Sequence, residues 1–209
     1  KIWRASEDRE YPVEATYSMG SGLWGDLLTV VSLEVITSVT QELTLDPFMN
    51  NIISFNVVAD NPSVSTVFGD NVFIGFNDMG QYYVPSFDIN SIGDINVLDG
   101  YKAFISGSDA LVLSVTGMPA DPTQVIDIQP FMNNLISYLP QEEMAAADAF
   151  GPHDDDILII SNDDGDYYVP SLGVWSLTML YPGEGYKVFL SSTDVLDFTY
   201  PEPSVTLAR

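Results

Sequence analysis

Pro47-Phe48-Met49-Asn50-Asn51-Ile52-Ile53-Ser54-Phe55 returns 83 residues later as Pro130-Phe131-Met132-Asn133-Asn134-Leu135-Ile136-Ser137-Tyr138. Three further blocks return in the same order, each 85 residues on. Tyr82-Tyr83-Val84-Pro85-Ser86 becomes Tyr167-Tyr168-Val169-Pro170-Ser171, Gly100-Tyr101-Lys102 becomes Gly185-Tyr186-Lys187, and Asp109-Ala110-Leu111 becomes Asp194-Val195-Leu196. Four blocks in one order at nearly one spacing are the mark of an internal repeat. The copies are read as residues 43–119 and 126–203. Gly117-Met118-Pro119-Ala120-Asp121-Pro122, with its glycine and two prolines, is read as the linker. The division is then a non-repeating segment 1–42, a first module 43–119, and a linker with a second module over 120–209.

Each copy reads as β structure. Residues 51–58 are apolar and β-branched. Residues 71–76 run through Asn77-Asp78-Met79-Gly80 into 81–84, a strand, a turn and a strand. The second copy repeats this with 157–160, the turn Asn162-Asp163-Asp164-Gly165 and 166–169. Residues 101–105 and 111–115 read as a second strand pair, as do 186–190 and 195–199. One short helix per copy is expected, over 62–68 after Pro62 and over 141–150, which has acidic residues in its first turn and Gly151-Pro152 as a stop. The expected fold class is all-β with one short helix per repeat: two tandem small β-barrel or β-sandwich modules. In the segment 1–42, residues 11–18 alternate as a strand, Gly20-Ser21-Gly22 is a turn, and 27–39 reads as another strand. Two strands do not hide an apolar face, so the segment reads as the tail of a preceding β domain or as strands docked on the first repeat.

Composition removes whole classes of function. The 209 residues include Lys+Arg 6 against Asp+Glu 30, a formal net charge of −24. Binding to phosphates needs clustered Lys and Arg, so nucleic acid is excluded as a direct partner, as is an anionic membrane surface. With no cysteine, disulfides, thiolate metal sites and thiol nucleophiles are excluded. One histidine, His153, excludes a two-histidine metal site and reads as a solvated loop residue. No apolar run approaches the 18 or so residues of a membrane span. The chain opens at Lys1 without a signal-peptide pattern and reads as a mature chain or a piece of a longer one.

Three motifs invite chemistry. Gly20-Ser21-Gly22-Leu23-Trp24-Gly25 spells the dinucleotide fingerprint, but the run behind it is strand-like, and the mechanism needs a helix N-terminus there. Asn162-Asp163-Asp164-Gly165-Asp166 suggests calcium through Asp163, Asp164 and Asp166, since hard cations take clustered carboxylates. Its counterpart Asn77-Asp78-Met79-Gly80-Gln81 keeps the glycine and loses most of the charge, so the position needs a turn first. Asp154-Asp155-Asp156 precedes the following strand in the second copy only. The paired tyrosines are the third motif. In a strand, Tyr82 and Tyr83 point to opposite faces, as do Tyr167 and Tyr168. One of each pair should be core. The outer one offers an aromatic platform for a sugar ring or a protein partner, with Trp175 added in the second copy. The candidate ligand-binding residues are therefore Tyr82, Tyr83, Tyr167, Tyr168 and Trp175. Tyr101 and Tyr186 are expected to be buried, with Lys102 and Lys187 outward.

The blocks Phe48-Met49-Asn50-Asn51-Ile52-Ile53-Ser54, Tyr83-Val84-Pro85 and Asp99-Gly100-Tyr101-Lys102 resemble a repeat of multidomain secreted or surface proteins of Bacteroidota-type bacteria. These are commonly type IX secretion cargo, with a Gly-Trp-Asn-x-Ile-Ser block, a Tyr-x-Pro block and a closing Gly-x-Gly-Tyr. The second copy carries the closing block as Gly183-Glu184-Gly185-Tyr186; in both copies Met-Asn replaces the opening Gly-Trp. The resemblance implies an exported location and a modular, non-enzymatic role. It carries over no catalytic residues and no cofactor. The reading that follows is a structural or adhesive segment, extracellular or at the cell surface, whose partners are other domains of the same protein, proteins or glycans. Three alternatives stand beside it: a carbohydrate-binding module pair of a secreted enzyme, a fibre or appendage protein of a phage or contractile injection device, and an enzyme, which would show a deep pocket holding two converging carboxylates.

Overall fold

The computed structural model describes residues 2–4, 9–11, 13–21, 25–26, 29–35 and 38–201. Ahead of residue 38 the described residues form two antiparallel pairs. Strand β1 (Ile2–Arg4) pairs with β2 (Arg9–Tyr11), and β3 (Val13–Met19) with β4 (Val30–Val35). Tyr17 stands opposite Val31 and Ala15 opposite Leu33, so this second pair has one apolar face. The expected strand over 27–39 is thus split. Its last residue, Val39, opens the next strand instead, and Leu27, Leu28, Ile36 and Thr37 lie outside the described residues.

The first half of the remainder contains β5 (Val39–Leu45), β6 (Asn51–Ser54), β7 (Val57–Ala59), the one-turn helix α1 (Val64–Phe68), β8 (Val72–Phe76), β9 (Tyr82–Val84), β10 (Ile89–Asn90), β11 (Gly100–Ile105) and β12 (Leu111–Pro119). Five strands form one sheet in the order β10-β9-β8-β11-β6, and three form a second in the order β5-β12-β7. The second half contains β13 (Ile126–Ile128), β14 (Asn134–Ser137), β15 (Met144–Ala145), α2 (Ala146–Phe150), β16 (Ile157–Ser161), β17 (Tyr167–Val169), β18 (Val174–Trp175), β19 (Met179–Leu180), β20 (Gly185–Leu190) and β21 (Leu196–Phe198). Its five-stranded sheet runs β18-β17-β16-β20-β14, the same order element for element. The β13-β21 pair stands where β5-β12 stands in the first half. The chain is all-β, with one short α-helix in each half among the described residues.

Alternation explains the packing. Strand β12 buries Leu113, Val115 and Gly117 and exposes the residues between them, so one face turns inward. Phe55, Phe68, Tyr83 and Tyr101 meet this face; the Phe68 and Tyr101 rings stand edge-on at 6.0 Å. The second core is built from Tyr138, Phe150, Tyr186, Phe198 and Tyr200, with Phe198 and Tyr200 at 4.8 Å. Tyr101 and Tyr186 are fully enclosed. Each hydroxyl accepts a backbone N–H, from Asn96 at 2.7 Å and from Tyr181 at 2.9 Å.

Five sequence expectations are corrected. The 101–105 and 111–115 segments do not pair with each other: β11 lies between β6 and β8, and β12 between β5 and β7. The connection carries the chain from one sheet to the other, which local alternation does not encode. The linker is shorter than read, because Gly117, Met118 and Pro119 pair with Ala59, Val58 and Val57. The first module also begins earlier than residue 43, since β5 pairs with β12 from Val39 onward. The helix over 141–150 shrinks to α2 because Met144 and Ala145 are drawn into a strand pair with Leu180 and Met179; beyond α2 a single 3-10 turn continues through Gly151–His153. His153 is half-buried, its ring 5.6 Å from Phe198, and is not a freely solvated loop residue.

Candidate functional site: the junction and its aromatic faces

The PFMNN block is a turn held shut by one amide. Asn51 Oδ1 accepts from Asp46 N–H at 2.7 Å, and its Nδ2 donates to the carbonyls of Asp46, Met49 and Ala103 at 3.0, 3.4 and 3.1 Å. Asn134 does the same with Gln129 N–H at 2.8 Å and the carbonyls of Gln129, Met132 and Val188 at 2.9, 3.2 and 3.2 Å. Both asparagines are buried. Inside this turn Phe48 and Phe131 have φ of 63° each, in the left-handed region that a bulky side chain rarely adopts. They are also 86% and 75% exposed. Two identical aromatics, held outward on strained backbone in both halves, do no packing work. Sequence reasoning missed them. The signal was available, in that phenylalanine is kept in both copies at a position where turn chemistry favours Asn or Gly.

The two halves meet through their sheet edges. Strands β6 and β14 are outermost in their sheets, so each has a row of N–H groups without a strand partner. Each row is capped by the other half. Ile52 N–H donates to Asp163 Oδ2 at 2.8 Å and Ser54 N–H to Gly183 O at 2.9 Å. Reciprocally, Leu135 N–H donates to Asp78 Oδ2 at 2.8 Å and Ser137 N–H to Leu98 O at 3.2 Å. Single antiparallel bridges, Ile53 with Glu184 and Asp99 with Ile136, repeat the pattern. Contacts that return with the partners exchanged are those of a two-fold relation. At the junction the Ser54 hydroxyl donates to Glu184 O at 2.6 Å and accepts from Tyr138 N–H at 3.0 Å, while the Ser137 hydroxyl donates to Phe55 O at 3.0 Å.

This geometry gives the first of the candidate calcium ligands a structural task. Asp163 is a clamp on the backbone of the other half, and Asp78 is its equal in the first turn. Among the described residues no group of three or more His, Asp or Glu side chains is placed to hold a metal ion. Asp154 is engaged elsewhere, accepting the Tyr168 hydroxyl at 2.8 Å. Calcium and magnesium at equal ionic strength are expected to raise the melting temperature equally, by screening alone; a calcium-specific rise in a thermal melt would restore the site.

Burial at the junction disfavours the charged form of its carboxylates. Desolvation, reinforced by nearby Asp78, pushes Asp99 up to about 6. Desolvation also raises Asp78, Asp163 and Glu184, with Asp163 and Asp164 adding to the effect on Glu184. A carboxyl raised in the folded state binds its proton more tightly there than in the unfolded chain. Its contribution is complete below the ordinary carboxylate range and is lost as pH rises through the folded value. The melting temperature is therefore expected to climb as pH falls from 7.5 to 5, and Asp99→Asn to flatten that climb. A pH series of thermal melts with an unchanged slope in the variant would contradict this assignment.

The tyrosine pairs divide as alternation requires. Tyr82 and Tyr167 are 44% and 38% exposed, while Tyr83 and Tyr168 are buried in the cores and are removed from the candidate ligand-binding set. Tyr83 donates its hydroxyl to Gly69 O at 3.2 Å. Trp175 is half-exposed but stands directly opposite Tyr168, its ring 5.6 Å away, on the core-side face at the sheet rim. It does not share a face with Tyr167, so the second half has no single platform built from all three rings. Tyr82 does have a neighbour on its face, Phe76, at 5.9 Å. No family model, curated protein or solved structure matches this chain.

Proposed function

We propose that this chain is a non-catalytic binding and spacing segment of an exported bacterial surface or secreted protein, built from two copies of one β-rich module. The observation that carries the reading is the pair Phe48 and Phe131. Both are exposed, both sit in left-handed backbone, and both occupy the same place in the two halves. Strain retained without a packing reward points to a surface selected for contact. Two equivalent contacts on one body suit avidity. The absence of cysteine, the single histidine and the resemblance of the repeat blocks support an exported, non-enzymatic role. Carboxylates with disfavoured ionisation often mark active sites; here they cap backbone N–H groups or sit beside those that do, and so have a structural task. The aromatic pair Tyr82 and Phe76 favours carbohydrate as one class of ligand.

The test separates binding from stability. Glycine accepts the left-handed conformation without strain, so Phe48→Gly/Phe131→Gly is expected to stay within about 1 kcal/mol of the parent. In a cell-surface and glycan-array binding assay the double variant is expected to lose adhesion. Turnover on a hydrolase substrate panel that vanishes on mutating one Asp pair would overturn the reading, as would undiminished adhesion by the glycine variant.

A further inference from the structure

Residues 38–201 contain two cationic side chains, Lys102 and Lys187, set against an excess of acid. Neither is spent on that acid. Among the described residues neither ammonium has a carboxylate partner or a hydrogen bond. Their positions follow from strand register. On the outer face of the first sheet Tyr82 stands opposite Phe76, Phe76 opposite Lys102, and Lys102 opposite Ile52. The second sheet has the corresponding row Tyr167, Ser161, Lys187 and Leu135. Ile52 and Leu135 end these rows at the junction, where both are buried and both donate their N–H across it. The reciprocal packing thus brings the two lysines to the middle of one surface, with Phe76 and Tyr82 beyond Lys102 and Ser161 and Tyr167 beyond Lys187. The Lys102 ammonium lies 5.9 Å from the centre of the Phe76 ring. Burial, and then the charge of Lys187, push Lys102 below the ordinary lysine range. Two like charges on one face, neither with a carboxylate partner, offer a place for an anion between them.

Resting on the binding reading above, we propose that this surface binds an acidic sugar, its carboxylate or sulfate received by Lys102 and Lys187 and its ring laid on Phe76 and Tyr82. Strands about 4.8 Å apart put Tyr82 about 10 Å from Lys102, the reach of a short oligosaccharide. The net charge of −24 repels long polyanions, but that field is screened beyond about 8 Å at physiological salt, so a ligand with a few charges is received locally.

The experiment titrates the full chain, followed by NMR and calorimetry, with trigalacturonate, a sulfated disaccharide, neutral maltotriose and a triglutamate peptide. Trigalacturonate or the sulfated sugar is expected to shift the signals of Lys102, Lys187, Phe76 and Tyr82, and the one that does so names the anion. Lys102→Met/Lys187→Met keeps the aliphatic stems and is expected to weaken binding about tenfold or more with an unchanged melting temperature, while Lys102→Arg/Lys187→Arg retains it. Equal binding of maltotriose, equal binding of triglutamate, unaltered affinity in the methionine variant, or no binding of either acidic sugar would each overturn the proposal. If the parent still adheres to cells through Phe48 and Phe131 while these sugars fail, the ligand class is wrong and the binding reading stands. Loss of both removes both.

Discussion

Gly185→Ala is expected to destabilise the chain by about 2–3 kcal/mol, and Gly100→Ala by a similar amount. A Cβ on Gly185 would lie 2.7 Å from the carbonyl oxygen of Ile53 and 3.0 Å from Ile52 Cγ2; one on Gly100 would lie 2.9 Å from the carbonyl oxygen of Ile136. The obstructing atoms are mostly backbone of the opposite half, which cannot swing aside as a side-chain tip would. Each substitution therefore wedges the junction open from its own side. In a chain of this size the loss corresponds to a fall in melting temperature of roughly 4–12 °C. Gly107→Ala is the control: its nearest neighbour would be 3.7 Å away, ordinary contact, and no change is expected. Thermal melts of the three variants decide the point. Equal small effects at all three positions would mean that the halves do not press on each other as described.

The second large effect comes from a change of one functional group. Asn134→Asp keeps the shape of the side chain and replaces its donating amide with an oxygen. At neutral pH that places a buried carboxylate against the carbonyls of Gln129, Met132 and Val188, which now receive three hydrogen bonds from the amide. Losing those bonds and setting a charge against three acceptors is expected to cost about 3–5 kcal/mol at pH 7. The cost is expected to shrink as pH falls and the new carboxyl takes up a proton. Asn51→Asp, against Asp46, Met49 and Ala103, is expected to match it. Chemical denaturation at pH 7 and pH 4.5 measures both effects. A pH-independent loss would show that the amide is not the latch of the turn.

The parts of the fold that local pattern encodes were legible. The 72–76 and 82–84 hairpin, the burial of Tyr101 and Tyr186, and the inward and outward division of the tyrosine pairs all follow from period-two alternation and turn residues. Sheet exchange was not legible, because β11 and β12 are adjacent in sequence and alternate equally well whichever strands they pair with. The junction was hidden for a related reason. Asp163 and Ile52 lie 111 residues apart, and Asp78 and Leu135 lie 57 apart. The difference in charge between the two turns comes from Asp164 and Asp166 against Met79 and Gln81, while the residue that works, Asp78 or Asp163, is the same in both. Phe48 and Phe131 escaped because composition rules for turns say where a bulky residue is unusual, and only the backbone angle shows the strain that its retention tolerates.

Two sheet edges are each closed by the other half of the chain. Amide hydrogen exchange reads those edges residue by residue. An edge strand facing water exchanges quickly at alternate amides, and a capped one does not. Ile52, Ser54, Leu135 and Ser137 are expected to be protected as strongly as Ala103 and Val188 in the central strands, and Asp163→Ala to release Ile52 while leaving Leu135 protected. Rapid exchange at all four amides in the parent chain would contradict the reciprocal junction and the rigid two-sided display that rests on it.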